Sequence, residues 1–128
     1  MEIRTIVDIV AIAFFVWFIF TRFAGVRGLK NVTSDQLQEE LNHPGDYKLI
    51  DVREPGEVRQ GFIPGAVNIP LSQIKRRAGE IPRDARVYLY CRSGMRSRQA
   101  ARVLKGLGFS QLAHLQGGMM SWKGKVTK

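Results

Sequence analysis

The longest uninterrupted apolar pattern lies at the amino end of the chain. Residues 6–20 read IVDIVAIAFFVWFIF, and between 9 and 20 the Trp17 indole is the only polar group. Apolar character resumes weakly through Phe23, Ala24 and Val26. Counted from Ile3 to Phe23 the span has 21 residues, close to the ~20 that a helix needs to cross a hydrocarbon core. The apolar positions run all round and leave no polar face for water, which disfavours a buried helix. Asp8 falls at headgroup depth, and Arg4 and Arg22 bracket the span where long side chains can reach the interface. The absence of a small-x-small cleavage site after the run disfavours a removed signal peptide. The pattern predicts a transmembrane anchor over residues 1–24, a basic linker over 25–31 and a domain over 32–128.

Beyond the linker the period changes repeatedly. Residues 33–41 read as a helix, with Thr33 as cap, Gln36 completing a capping box, and Leu37 and Leu41 on one face. HPGD (43–46) breaks it. YKLIDV (47–52) is a strand, 55–60 a short helix opened by proline, and 66–69 a short strand framed by Pro64 and Pro70. Residues 71–77 read as a helix exposing Lys75, Arg76 and Arg77. RVYLY (86–90) is almost continuously apolar and predicts a central strand. In 97–107, Ala100, Val103, Leu104 and Leu107 follow helical spacing, and Gly108 stops the run. Residues 112–115 form the last strand, and 119–123 one terminal helical turn. Strands alternating with helices predict a parallel α/β sheet.

Charge adds an orientation. The net charge is +9, and nineteen of the twenty Lys and Arg follow Phe20. Arg22, Arg27 and Lys30 outweigh Arg4 across the apolar span, so the positive-inside rule predicts a single-pass protein of the cell membrane with its domain in the cytoplasm. A basic surface suits anionic small molecules or lipid headgroups. Nucleic acid is not expected as a partner, since there is no aromatic ladder, zinc spacing or basic reading helix. His43 and His114 have no ligand-spaced partner and are read as structural or exposed; no metal site is predicted. One cysteine allows no intramolecular disulfide and fits a reducing compartment.

That cysteine stands in YLYCRSGMRSR (88–98). Cys91 falls at the carboxyl end of the predicted central strand, the edge at which open α/β sheets bind ligands. The loop Arg92, Ser93, Gly94, Met95 and Arg96 leads straight into a helix, whose amino end offers unpaired N–H groups and a positive dipole. Gly94 lets successive amides turn inward as an anion nest. Amides, dipole and arginines together favour a thiolate and make Cys91 a nucleophile. Ser93 and Ser97 can touch the reacting sulfur or cap the helix, two compatible uses, and Met95 can shape the entrance. Asp51 and Arg53 end a strand at the same edge, where they read first as an ion pair pinning loops and second as an anion contact. Glu54 and Glu57 read as helix amino-terminal charges, and Gly117 and Gly118 as a tight turn beside the loop.

CRSGMRS (91–97) resembles the active-site loop of single-domain rhodaneses, the thiosulfate-type sulfurtransferases. LIDVREPGE (49–57), GFIPGAVNIP (61–70) and GGMMSW (117–122) are similar to further signatures of that family. The similarity runs in order over about residues 32–123, and the apolar amino end resembles that of small membrane-tethered forms. The resemblance implies a rhodanese-like α/β domain, with a five-stranded parallel sheet flanked by helices, preceded by one transmembrane helix. It implies that Cys91 takes a sulfane sulfur from a small anionic donor such as thiosulfate and passes it to a thiol or protein acceptor. The amides of 92–97 would cradle that sulfur and Arg92 and Arg96 attract the donor, with no metal or organic cofactor. Phe62 departs from the histidine common in the GHIPGA-like stretch, a peripheral position. Two alternatives remain: a rhodanese fold kept as a docking or sulfur-relay module, and a cysteine phosphatase. Phosphatase loops place five residues between Cys and Arg, and here four separate Cys91 from Arg96.

Overall fold

The computed structural model describes residues 2–23, 26–43 and 45–128; Met1, Ala24 and Gly25 of the expected anchor and linker, and Pro44 of the HPGD break, lie outside them. Helix α1, Ile3–Phe23, is 21 residues long, and its stretch Ile3–Thr21 is long and apolar enough to cross a membrane. None of that stretch is buried in the protein, and Phe14 and Trp17 are 63% and 60% exposed.

The sheet begins earlier than the pattern suggests. Strand β1, Lys30–Val32, pairs in parallel with β5, Leu112–Leu115. Lys30 and Asn31 are therefore sheet residues and not linker. Upstream, the Arg27 carbonyl accepts a hydrogen bond from Lys105 Nζ, and Leu29 packs against the core. The strand escapes sequence reading because only Val32 of its three residues is buried, so no alternation shows.

Helix α2, Ser34–Leu41, carries the expected capping box between Thr33 and Gln36. Strand β2, Tyr47–Asp51, helix α3, Pro55–Val58, and strand β3, Val67–Asn68, follow. Residues 71–77 do not make the expected helix. Leu71–Gln73 and Ala78–Glu80 form 3-10 turns instead, in which Ile74 and Ile81 donate to carbonyls three residues back. Gly79 weakens a continuous helix, and burial of Ile74, Ala78 and Ile81 holds the turns to the sheet. Strand β4, Arg86–Tyr90, leads into helix α4, Met95–Gly106, and Gly118–Ser121 forms a last 3-10 turn.

The five strands run parallel in the order β1-β5-β4-β2-β3, which puts β4 in the middle. Both faces of the sheet are covered, so strand residues alternate between two cores. Ile50, Leu89, Ala100 and Leu104 join the core beneath α4. Leu49, Tyr88, Tyr90 and Leu115 join the one with Leu37 of α2. Each leucine so buried contributes about 1.5–3 kcal/mol. Two packed faces leave the carboxyl edge of β4 as the place where a loop can carry chemistry.

Candidate active site

Cys91 follows β4 directly and is 1% exposed. Its sulfur accepts hydrogen bonds from Gly94 N at 3.0 Å and Ser97 N at 3.4 Å. Those amides are the cap residue and the third residue of α4, which has neither a side-chain cap nor an acidic residue in its first turn. The cysteine sulfur thus occupies the place usually taken by a Ser or Asp oxygen, and a thiolate there meets the positive end of the helix. This explains why α4 starts at Met95, two residues before the apolar spacing indicates.

Two glycines make the cradle possible. Gly94 has φ +105°, a conformation that side chains rarely adopt, and it turns the loop back so that its amide reaches the sulfur. Gly118 has φ +59°, and a Cβ there would overlap the carbonyl oxygens of Cys91 and Arg92. The turn it opens grips the loop, with Met119 N donating to Cys91 O at 2.9 Å and Met120 N to Arg92 O at 3.1 Å.

The remaining predicted residues divide into mouth and frame. Arg92 and Ser93 are exposed, and Met95 is 56% exposed. Arg92 lines a cleft of about 360 Å³ with Arg53, Glu57, Gln60, Met119 and Met120. Arg96 forks onto Glu57, Nη1 to Oε1 at 2.5 Å and Nη2 to Oε2 at 2.9 Å. That hydrogen-bonded arginine is the main reason the Glu57 carboxyl is held down at about 2. Glu57 also accepts the Glu54 N–H at the start of α3, so it joins α3 to the active loop as well as capping its own helix.

Asp51 and Arg53 form the ion pair expected of them, almost fully buried at 0% and 6% exposure. Asp51 accepts from Arg53 N, Nε and Nη2, the last at 2.6 Å. Arg53 Nη2 also donates to Gly61 O at 2.8 Å. Burial works against the Arg53 charge, and the Asp51 carboxylate more than restores it. Asn68 Nδ2 donates to the carbonyls of both Asp51 and Arg53. These bonds tie residues 49–57 to residues 61–70 and fix the ground on which α3 meets Arg96.

Ser97 is fully buried, and its hydroxyl lies 3.7 Å from the Cys91 sulfur, 3.0 Å from Gly94 O and 2.9 Å from His114 Nδ1. His114 belongs to this site, which a reading of isolated residues misses. A signal was present, because a histidine inside the otherwise apolar strand LAHL must be paired when buried.

The chain matches the Rhodanese-like domain family over residues 33–125. It belongs to the rhodanese family. It is 40% identical over 121 residues to the Bacillus subtilis protein YqhL, covering 94% of each chain. That leaves about eight residues of this rhodanese unmatched, so the similarity reaches into α1. A sulfurtransferase of Allochromatium vinosum is 39% identical over 94 residues, covering 73% of this chain and 88% of its own. Among solved structures, a rhodanese-related protein from Thermoplasma volcanium superposes with a TM-score of 0.69 at 30% identity, covering 77% of this chain and 97% of that one. Family and relatives support sulfur transfer as the activity of this rhodanese.

Proposed function

We propose that this rhodanese is a membrane-anchored sulfurtransferase that moves a sulfane sulfur from thiosulfate, or a donor of like chemistry, through a persulfide on Cys91. The observation that carries the reading is the sulfur of Cys91 held on the amides of Gly94 and Ser97 at the start of α4. A thiolate so placed attacks the outer sulfur of thiosulfate. The Cys91 S–S bond forms as the donor's S–S bond breaks, and sulfite leaves with the electron pair. An acceptor thiolate, or cyanide in an assay, then attacks the outer sulfur of the persulfide, and Cys91 departs as thiolate. Neither step needs an oxidant or reductant. The amides of Ser93, Met95 and Arg96, which carry no hydrogen bond among the described residues, supply donors for the anionic outer sulfur. Exposed Arg92 draws the anionic donor to the mouth, while Arg96 brings a charge already shared with Glu57.

A mechanism in two halves has a kinetic signature. Initial rates measured against thiosulfate at several cyanide concentrations should give parallel double-reciprocal lines. Intersecting lines would mean that donor and acceptor must be bound together, and no turnover at all would favour a docking or relay module.

Helix α1 supports the anchor. Its apolar side chains project all round, uncovered by the domain, a surface of a size that soluble proteins do not leave in water. With Arg27 and Lys30 following the span, the domain lies on the cytoplasmic side. A cysteine added after Lys128 on a Cys91→Ser background should resist an impermeant maleimide in intact cells and react after lysis. Equal labelling before and after lysis would contradict this topology.

A further inference from the structure

Ser97 has one hydroxyl hydrogen and more acceptors than it can serve. Gly94 O lies at 3.0 Å and His114 Nδ1 at 2.9 Å, and the Cys91 sulfur at 3.7 Å becomes an acceptor once it is a thiolate. On its other side the imidazole meets Asn31, with Nε2 2.6 Å from Oδ1. An amide oxygen only accepts, so Nε2 carries the ring hydrogen and Nδ1 presents a lone pair to Ser97. His114 is 4% exposed, and burial, with a smaller contribution from the Arg98 charge, pushes it down to about 4. It therefore stays neutral at neutral pH. The charged groups around this network are Arg98 on α4 and Arg96, which interacts with Cys91 and is itself held by Glu57.

We propose that His114 is a positioning residue for Cys91, acting through Ser97: in the resting enzyme it holds the Ser97 hydroxyl hydrogen, and it releases it to the sulfur when the thiolate forms. While Cys91 is a thiol, its S–H donates to Ser97 Oγ, and the hydroxyl donates onward to Nδ1. When the thiol proton leaves to solvent, the hydroxyl turns from Nδ1 to the sulfur and adds a third donor to the amides of Gly94 and Ser97. No covalent bond changes at Ser97 or His114. His114 competes with the thiolate for one hydrogen, so it restrains the resting thiol and keeps the hydroxyl close enough to respond. The inference rests on Cys91 being the reactive thiol, and its test does not depend on sulfur transfer.

The chain has two histidines, and His43 is exposed, so the full-length protein in detergent with 15N-labelled histidine and His43→Gln reports His114 alone. At neutral pH, Nε2 should be the protonated nitrogen and Nδ1 the hydrogen-bonded acceptor. The Nδ1 resonance should move over the same pH interval in which iodoacetamide reactivity of Cys91 rises. In Ser97→Ala it should start at the unbonded position and stay there. A hydrogen on Nδ1, or an Nδ1 resonance that stays fixed while Cys91 becomes reactive, would overturn the proposal. His114→Phe should also speed alkylation of Cys91 at neutral pH about fivefold, the worth of one hydrogen bond. It should do so with Ser97 present and not on a Ser97→Ala background. Equal acceleration in both backgrounds would mean that His114 acts by packing or field, contrary to the proposal.

Discussion

Replacing Cys91 by alanine should lower thiosulfate turnover by at least about 10³-fold, since the atom that carries the sulfur between the two halves is gone. The same change removes the acceptor from the amino end of α4, where the sulfur takes the amides of Gly94 and Ser97, so it should also cost about 1 kcal/mol of stability. Cys91→Ser separates the two effects. An oxygen can still accept from the helix amides, so the serine variant should be more stable than the alanine variant. It should be as inactive, because an alkoxide is neither available at neutral pH nor able to form an exchangeable S–S bond. Turnover assays and urea melts of the two variants check both halves. A serine variant retaining turnover within tenfold of wild type would mean that the sulfur is carried elsewhere.

Asp51→Ala should be the most destabilising single change in the sheet-edge framework. It leaves the guanidinium of Arg53, itself 6% exposed, without the carboxylate that takes its Nε and Nη2. Breaking a buried pair from one side costs about 3–5 kcal/mol, because the remaining charge is left in a poor medium. Asp51→Asn keeps one oxygen for the Arg53 N–H and should lose less. The urea midpoint of each variant gives the difference. A loss under about 1 kcal/mol for the alanine change would mean that water reaches Arg53 and that the pair is not the pin between residues 49–57 and 61–70.

The active loop was legible because its parts are contiguous. Cys91, Gly94 and Ser97 lie within seven residues, at the point where an apolar strand gives way to a helical period. The strand order puts β4 in the centre, as its almost continuous apolar run predicts. What sequence could not supply was pairing over distance. Glu57 meets Arg96 across 39 residues, and Asn31 meets His114 across 83. Nothing local to any of these four residues names its partner. Elsewhere a short-range reading misleads: one helix is expected over residues 71–77, yet a 3-10 turn covers Leu71–Gln73 and a second follows at Ala78–Glu80. Strand β1 was lost for the opposite reason, three residues being too few to show a period.

Everything proposed for the reaction depends on Cys91 taking a sulfur before any acceptor arrives. The direct measurement is the intact mass of the full-length protein in detergent after incubation with thiosulfate alone and desalting. Wild type should gain one sulfur atom, reversed by cyanide and absent in Cys91→Ala. A wild-type mass unchanged by thiosulfate, or a gain that persists in Cys91→Ala, would contradict it.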